Sequence, residues 1–148
     1  MKQIKGKIVS INISNKKGMR KKPVRTAEIV TEYGIKGDAH ASSTWHRQIS
    51  LLALESIKKM QDLGLKVNPG DFAENITTDG IDLISLPIGT QIRIGDVEAE
   101  VSQIGKECHT RCAIYYQAGD CVMPKEGIFV KVLKGGKIDV GDEISVSD

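Results

Sequence analysis

Residues 90–102 read Thr90-Gln91-Ile92-Arg93-Ile94-Gly95-Asp96-Val97-Glu98-Ala99-Glu100-Val101-Ser102. On both sides of Gly95-Asp96, apolar residues alternate with charged or polar ones, the period of a strand that has one face on a core and the other in water. The Gly-Asp pair marks a turn between the two runs. The same alternation recurs in residues 7–13, where Val9, Ile11 and Ile13 fall on one side. Residues 128–133 form a further strand running into Gly135-Gly136, a pair that permits positive φ in a tight hairpin. Residues 137–140, the turn Gly141-Asp142 and residues 143–146 then complete an expected β-meander.

One segment reads as a helix. After the apolar run 49–53, the stretch 54–63 spaces Leu54, Ile57, Met60 and Leu63 three apart, and Gly64 suits a C-terminal cap. No alternation of strands and helices suggests parallel βαβ units, and no repeat is present. A mainly β fold is therefore expected, a barrel or packed sheets decorated by helix, in a single domain spanning residues 1–148. The long connections 12–25 and 34–47 are where a functional loop would lie, because paired strands leave little freedom for chemistry.

The balance of 40% hydrophobic and 27% charged residues in 148 is that of a globular chain long enough to bury one core without staples. A formal net charge of +2 is far from the basic excess that phosphate neutralisation along nucleic acid demands, so no nucleic-acid partner is expected. Only the run containing Lys16, Lys17, Arg20, Lys21, Lys22 and Arg25 is locally basic. It reads as a solvated loop, with attraction of an anionic ligand as the alternative. No stretch approaches the ~20 apolar residues of a membrane span, and the first ten residues lack the apolar core of a signal peptide. Three cysteines cannot all pair within the chain, so reduced thiols in a cytoplasmic protein are expected.

All three cysteines are clustered in Gly105-Lys106-Glu107-Cys108-His109-Thr110-Arg111-Cys112-Ala113-Ile114 and, shortly after, Asp120-Cys121. Cys108 and Cys112 sit among Lys106, His109 and Arg111, cations that favour the thiolate, the form that attacks sulfur or binds soft metals. Cys121 reads as a buried filler. Cys108, His109, Cys112 and Cys121 could together complete a tetrahedral zinc site. Against this, Cys108 and His109 are adjacent, so in an extended chain they point to opposite faces, and the spacing contains no CxxC pair. A Cys/His nucleophile pair is a further reading, with His109, His40 or His46 as base.

Two other segments carry chemistry. Gly34-Ile35-Lys36-Gly37-Asp38-Ala39-His40 and the following Trp45-His46-Arg47-Gln48 combine glycines with the cations Lys36, His40, His46 and Arg47, a set suited to an anion-binding loop or equally to a polar turn. Neither segment is a Walker or Rossmann fingerprint. Asn68-Pro69-Gly70-Asp71-Phe72-Ala73-Glu74-Asn75-Ile76-Thr77-Thr78-Asp79-Gly80 breaks regular structure and offers Glu74, Asn75 and Thr77 as hydrogen-bonding groups, for which a structural role is the default. Glu74 as a general base has no visible partner.

Taken in order, the segment 34–40, then Arg47-Gln48-Ile49-Ser50-Leu51-Leu52, then Gly70-Asp71-Phe72-Ala73-Glu74-Asn75-Ile76-Thr77-Thr78 with Leu86-Pro87-Ile88-Gly89-Thr90, then Cys112 ahead of closing strands, resemble the MOSC domain, the C-terminal domain of molybdenum cofactor sulfurases. The resemblance covers nearly the whole chain, and the Gly-Asp-x-x-Glu-Asn-x-Thr-Thr block is its most specific part. It implies a β-barrel of the pyruvate-kinase β-domain type with a few peripheral helices. It also implies a cysteine that ligates molybdenum or carries sulfur, in a cleft whose cations hold the phosphate of the pterin. Arg111-Cys112-Ala113-Ile114 is similar to the context of the ligand cysteine in the mitochondrial amidoxime reducing component, which makes Cys112 the implied metal ligand and Cys108 the runner-up. Lys36, Asp38, His40, Arg47, Glu74, Asn75 and Arg111 are the implied cofactor-binding residues. The implied activity is reduction of N-hydroxylated small molecules with a separate electron donor. The alternative is a persulfide or cofactor carrier supplied by a cysteine desulfurase, and the third reading is the zinc-stabilised binding module. The chain contains no recognisable desulfurase, iron–sulfur or flavin domain, so no pyridoxal phosphate is expected.

Overall fold

Residues 91–94 and 97–104 form the antiparallel hairpin that their alternation dictates, with Ile94 opposite Val97 and Gly95 at φ +57° in the turn. Ile92, Ile94, Val97, Ala99 and Val101 face inward and are buried, while Arg93 and Glu98 remain in solvent. The computed structural model describes residues 3–16, 21–105 and 126–147. In chain order the strands are β1 (Gln3–Ile13), β2 (Lys22–Val24), β3 (Thr26–Val30), β4 (Gly34–Ile35), β5 (Ile49–Ala53), β6 (Ile76–Asp79), β7 (Gln91–Ile94), β8 (Val97–Ile104), β9 (Ile128–Lys134), β10 (Gly136–Asp139) and β11 (Glu143–Ser147). The helix α1 spans Leu54–Asp62.

Seven strands close a barrel in the order β11-β7-β8-β9-β5-β6-β1, completed by pairing of β1 with β11. Closure removes the open edges that an unrolled sheet of these apolar strands would present. Strand β2 adds to β1 from outside, and β10-β3-β4 make a small second sheet. All barrel pairings are antiparallel except β5 with β6. Parallel neighbours cannot be joined by a tight turn, so residues 54–75 must cross over, and α1 begins that crossover.

Inside the barrel, Ile11, Ile49, Leu51, Ile76, Ile128, Val130 and Val132 meet the inner residues of β7 and β8 in one cluster. Outside it, Leu52 of β5 and Phe129 of β9 pack with Ile57 and Met60 of α1 and with Val67 and Phe72. Of the residues spaced three apart in 54–63, Ile57 and Met60 are thus the seam of α1, Leu54 is half-buried at its start, and Leu63 lies beyond its end and is exposed. Among the described residues no helix is long and apolar enough to cross a membrane.

Two strand expectations are corrected. In β1 the inward residues are Ile8 and Ile11, with Ile13 partly buried against the same core as expected, whereas Val9 is not part of it, because the register against β6 shifts between Ile8 and Ser10 and resets the alternation. The pair Gly135-Gly136 does not close a hairpin: neither residue has positive φ, and β10 leaves the barrel to pair with β3. Gly135 is required for a different reason, since a Cβ there would collide with the Ile29 carbonyl oxygen where the two sheets meet.

Candidate functional site

Strand alternation places Ser50 of β5, Thr77 of β6 and Asn12 of β1 on the wall of the barrel opposite Ile49, Leu51, Ile76 and Ile11. These polar residues are nonetheless buried, because the loop 68–75 lies over them. A buried polar layer must find its hydrogen bonds internally, and in this one they are organised around the Glu74-Asn75 pair. The Asn75 Oδ1 accepts from Ser50 N and Oγ at 3.0 and 3.2 Å, and its Nδ2 donates to the Asn12 carbonyl at 3.2 Å. Asn12 Nδ2 donates to Thr77 Oγ1, and Thr77 Oγ1 donates to Glu74 Oε2 at 2.7 Å. Gly70 N also donates to that carboxylate oxygen. Burial pushes the Glu74 carboxyl above the usual range, outweighing the Gly70 and Thr77 donors that oppose it. Its Oε1 has no hydrogen-bond partner among the described residues.

The loop is bent by Gly70 at φ +92° and by Ala73 at φ +63°, a left-handed conformation that an alanine adopts only when its surroundings impose it. Gly70 touches the next layer: its carbonyl accepts from Lys21 N, and a Cβ at this position would collide with the Lys21 carbonyl oxygen. Lys21, read in the sequence as one member of a solvated basic run, is therefore corrected to a buried residue. Its ammonium lies 2.6 Å from Asp38 Oδ1, both side chains wholly inaccessible, and 2.9 Å from His40 Nδ1. Asp38 Oδ1 also accepts from Ser14 N, and its Oδ2 accepts from His40 N. Burial alone would raise the Asp38 pKa. The Lys21 ammonium, the Ser14 amide and the Asn75 side chain together outweigh it and hold the carboxylate below its ordinary value.

The third part is the ledge before β5. The Arg47 guanidinium lies 4.8 Å from the Trp45 ring centre and 5.3 Å from that of Phe129, and the His46 ring leans on Trp45 at 4.6 Å. Both distances are within the range of a cation–π contact. Arg47 Nε and His46 Nδ1 are buried without hydrogen-bond partners, and Arg47 has no carboxylate partner among the described residues. Gln48 is structural: its Oε1 accepts from Val132 N and its Nε2 donates to the Ser42 carbonyl, tying the ledge to β9.

The six implied cofactor residues that are described thus divide into three kinds. Asp38, Glu74 and Asn75 are buried and bonded internally, so they shape and stiffen the loops. Lys36 is exposed and 3.5 Å from Glu28. His40 and Arg47 reach the surface with partly exposed side chains. Cys108, Cys112, Cys121, His109 and Arg111 lie outside the described residues, and with them the zinc reading. No group of three or more His, Cys, Asp or Glu that could hold a metal occurs among the described residues. A separate cavity of about 290 Å³ lies beside α1, lined by Glu55, Ser56, Lys59, Ile81 and Glu126 among others. Burial, together with the neighbouring Asp79 carboxyl, pushes the Glu55 pKa up. Neither the buried Lys21 nor the polar-layer residues Asn12, Ser50 and Ser10, whose Oγ donates to Asn12 Oδ1 at 2.7 Å, stand out in the sequence. The signal that could have found Ser50 is a lone hydroxyl inside the apolar run 49–53.

A family model of the MOSC domain matches residues 36–145. Among solved structures, the chain is similar to the YuaD protein from Bacillus subtilis, with a TM-score of 0.80 at 20% identity over 98% of this chain and 97% of that one. It is also similar to YiiM from Geobacillus stearothermophilus, at TM-score 0.71 and 21% identity over 97% and 75%. For YiiM from Escherichia coli the values are 0.68 and 20% over 97% and 70%. At these identities the likeness establishes the fold. No curated protein sequence matches the chain.

Proposed function

The chain belongs to the MOSC domain family, and from that membership we propose that it binds molybdenum cofactor, with Cys112 as the metal ligand and the Arg47 ledge holding an anionic group of the pterin. The observation that carries this reading is the arginine itself. Its guanidinium lies within cation–π reach of Trp45 and Phe129 and has a buried, unpartnered Nε and no carboxylate partner among the described residues. A held, uncompensated guanidinium suits a phosphate, to which it donates in a forked geometry without having to reorganise. The family association and this orphaned donor agree on an anionic ligand.

In this reading His40 and Arg47 are donors to the cofactor or its substrate, and Lys36 contributes charge near the rim of the 34–40 loop. Asp38, Glu74 and Asn75 keep those loops rigid. When bound, the cofactor supplies two-electron redox chemistry, and reduction of an N-hydroxylated small molecule would draw its electrons from a separate donor protein. Cytoplasmic residence follows from the need for a reduced thiol.

The test is titration of the anaerobically prepared protein with molybdenum cofactor, comparing wild type with Arg47→Ala and Arg47→Lys. Loss of a charge-assisted contact worth about 1.5–3 kcal/mol weakens binding on the order of 10- to 150-fold in Arg47→Ala. Lysine, which cannot fork or lie flat, restores only part of the loss. Equal affinity in all three proteins, with unchanged thermal stability, would remove Arg47 from the site.

A further inference from the structure

The cavity beside α1 stands at the opposite end of β5 from the Arg47 ledge, and the cofactor reading makes no use of it. Its volume of about 290 Å³ lies at the lower end of the range for small-molecule sites. Part of the lining is apolar. Ile81 and Leu83 are each 2% exposed and belong to the barrel core, while Ile84 is 47% exposed. The rest of the lining is charged, and its charge is unequally compensated. Lys59 Nζ lies 3.1 Å from both carboxylate oxygens of Glu126, and Ser56 Oγ donates to the same group at 2.6 Å. Glu55 and Asp82 have no cation within ion-pair distance among the described residues. Glu55 instead shares a hydrogen bond with the carboxyl of Asp79 at the end of β6. Two carboxyl groups held in contact repel when both are ionised, and a cation that enters beside them relieves the repulsion.

We propose that this cavity is a separate binding site for a small organic cation, with an ammonium group at Glu55 and Asp82 and a short alkyl body against Ile81, Leu83 and Ile84. The two kinds of lining call for the two parts of one ligand. A bare metal ion gains nothing from the isoleucines, and the described residues hold no group of three or more side chains that could ligate one. A neutral alkyl compound leaves the carboxylates uncompensated. Arg47, His40 and Cys112 take no part, so the site does not rest on the cofactor reading.

The experiment is titration of the full chain, without cofactor, by butylammonium, followed through the backbone amide resonances, with methylammonium and butanol as comparisons. Butylammonium is expected to shift the amides of Ser56, Lys59, Ile81 and Ile84 saturably in the millimolar range and to leave Arg47 unmoved. A fully buried methylene is worth about four-fold in affinity, so methylammonium should bind at least roughly ten-fold more weakly. Ile84→Ser should narrow that gap and leave methylammonium unchanged. Glu55→Gln should weaken butylammonium about two- to five-fold, the scale of an ion pair open to solvent. The charged groups around Glu55 are Lys58 and Lys59 on its own helix, Asp79, Asp82 and Glu126. Burial, and then Asp79, put the Glu55 pKa above its ordinary 4.5, so wild-type affinity should rise as pH rises through the folded value, and Glu55→Gln should flatten the rise. Butanol acting as strongly as butylammonium overturns the cation, and methylammonium matching it overturns the alkyl body. Shifts confined to residues outside the lining, or unchanged affinity in the double variant Glu55→Gln/Asp82→Asn, overturn the site. Butylammonium binding in a protein that takes up no molybdenum cofactor would sink the cofactor reading and leave this site standing; the reverse pattern would sink this site alone.

Discussion

Replacing Asp38 by alanine strands the Lys21 ammonium in a site with no solvent access and no other carboxylate within ion-pair reach among the described residues. Breaking a buried pair by removing one partner costs about 3–5 kcal/mol, because the surviving charge keeps its desolvation penalty and loses its compensation. Ser14 N and His40 N lose an acceptor in the same variant. At about 2–4 °C per kcal/mol for a domain of this size, the melting temperature should fall on the order of 10 °C. The double variant Lys21→Met/Asp38→Leu removes both charges, so its destabilisation should be smaller than the sum of the two singles by about 2 kcal/mol. Linkage gives a second readout. The Asp38 pKa is depressed in the folded chain, so its contribution is fully present above the ordinary value of 3.8 and disappears as pH falls through the lower folded value. Urea midpoints measured down through that range should show an acid limb in wild type that is absent in Asp38→Asn. A loss under about 1 kcal/mol in Asp38→Ala, or strict additivity in the double variant, would refute the buried-pair argument.

Glu74 shifts the opposite way, which reverses the sign. Its folded pKa lies above the ordinary 4.5, so the stability it contributes is complete below that value and is lost as pH rises through the folded one. Glu74→Gln keeps an acceptor for Gly70 N and Thr77 Oγ1 and should flatten this fall; urea midpoints with the same pH slope in both proteins would contradict it. Gly70→Ala places a Cβ against the Lys21 carbonyl at φ +92° and should cost at least about 3 kcal/mol in chemical denaturation, whereas a loss of less than about 1 kcal/mol would show that the loop relaxes freely.

The barrel was legible where apolar alternation is uninterrupted, as in residues 90–102, and where the three-residue spacing of α1 matches its seam on Leu52 and Phe129. It was less legible in β1, because a register shift after Ile8 is decided by the partner strand and leaves no mark in the local pattern. Gly135-Gly136 carried the composition of a hairpin, but the residues were selected by the close approach of Ile29. In the candidate site, polar composition marks the segments without distinguishing exposed groups from buried ones. Glu74 and Asn75 look like binding residues in sequence, yet they bond the loop 68–75 to the outer wall of β1, β5 and β6. Lys21 was hidden for the converse reason: its neighbours are solvated cations, and only the three-dimensional meeting with Asp38 marks it as buried.

The proposed molybdenum centre at Cys112 is decided by the molybdenum and zinc content of the protein after anaerobic loading with cofactor. Wild type and Cys108→Ala should each retain about one molybdenum per chain, while Cys112→Ala should lose it with its thermal stability unchanged. Zinc in place of molybdenum in wild type, or loss of molybdenum in Cys108→Ala but not in Cys112→Ala, would rule out Cys112 as the molybdenum ligand.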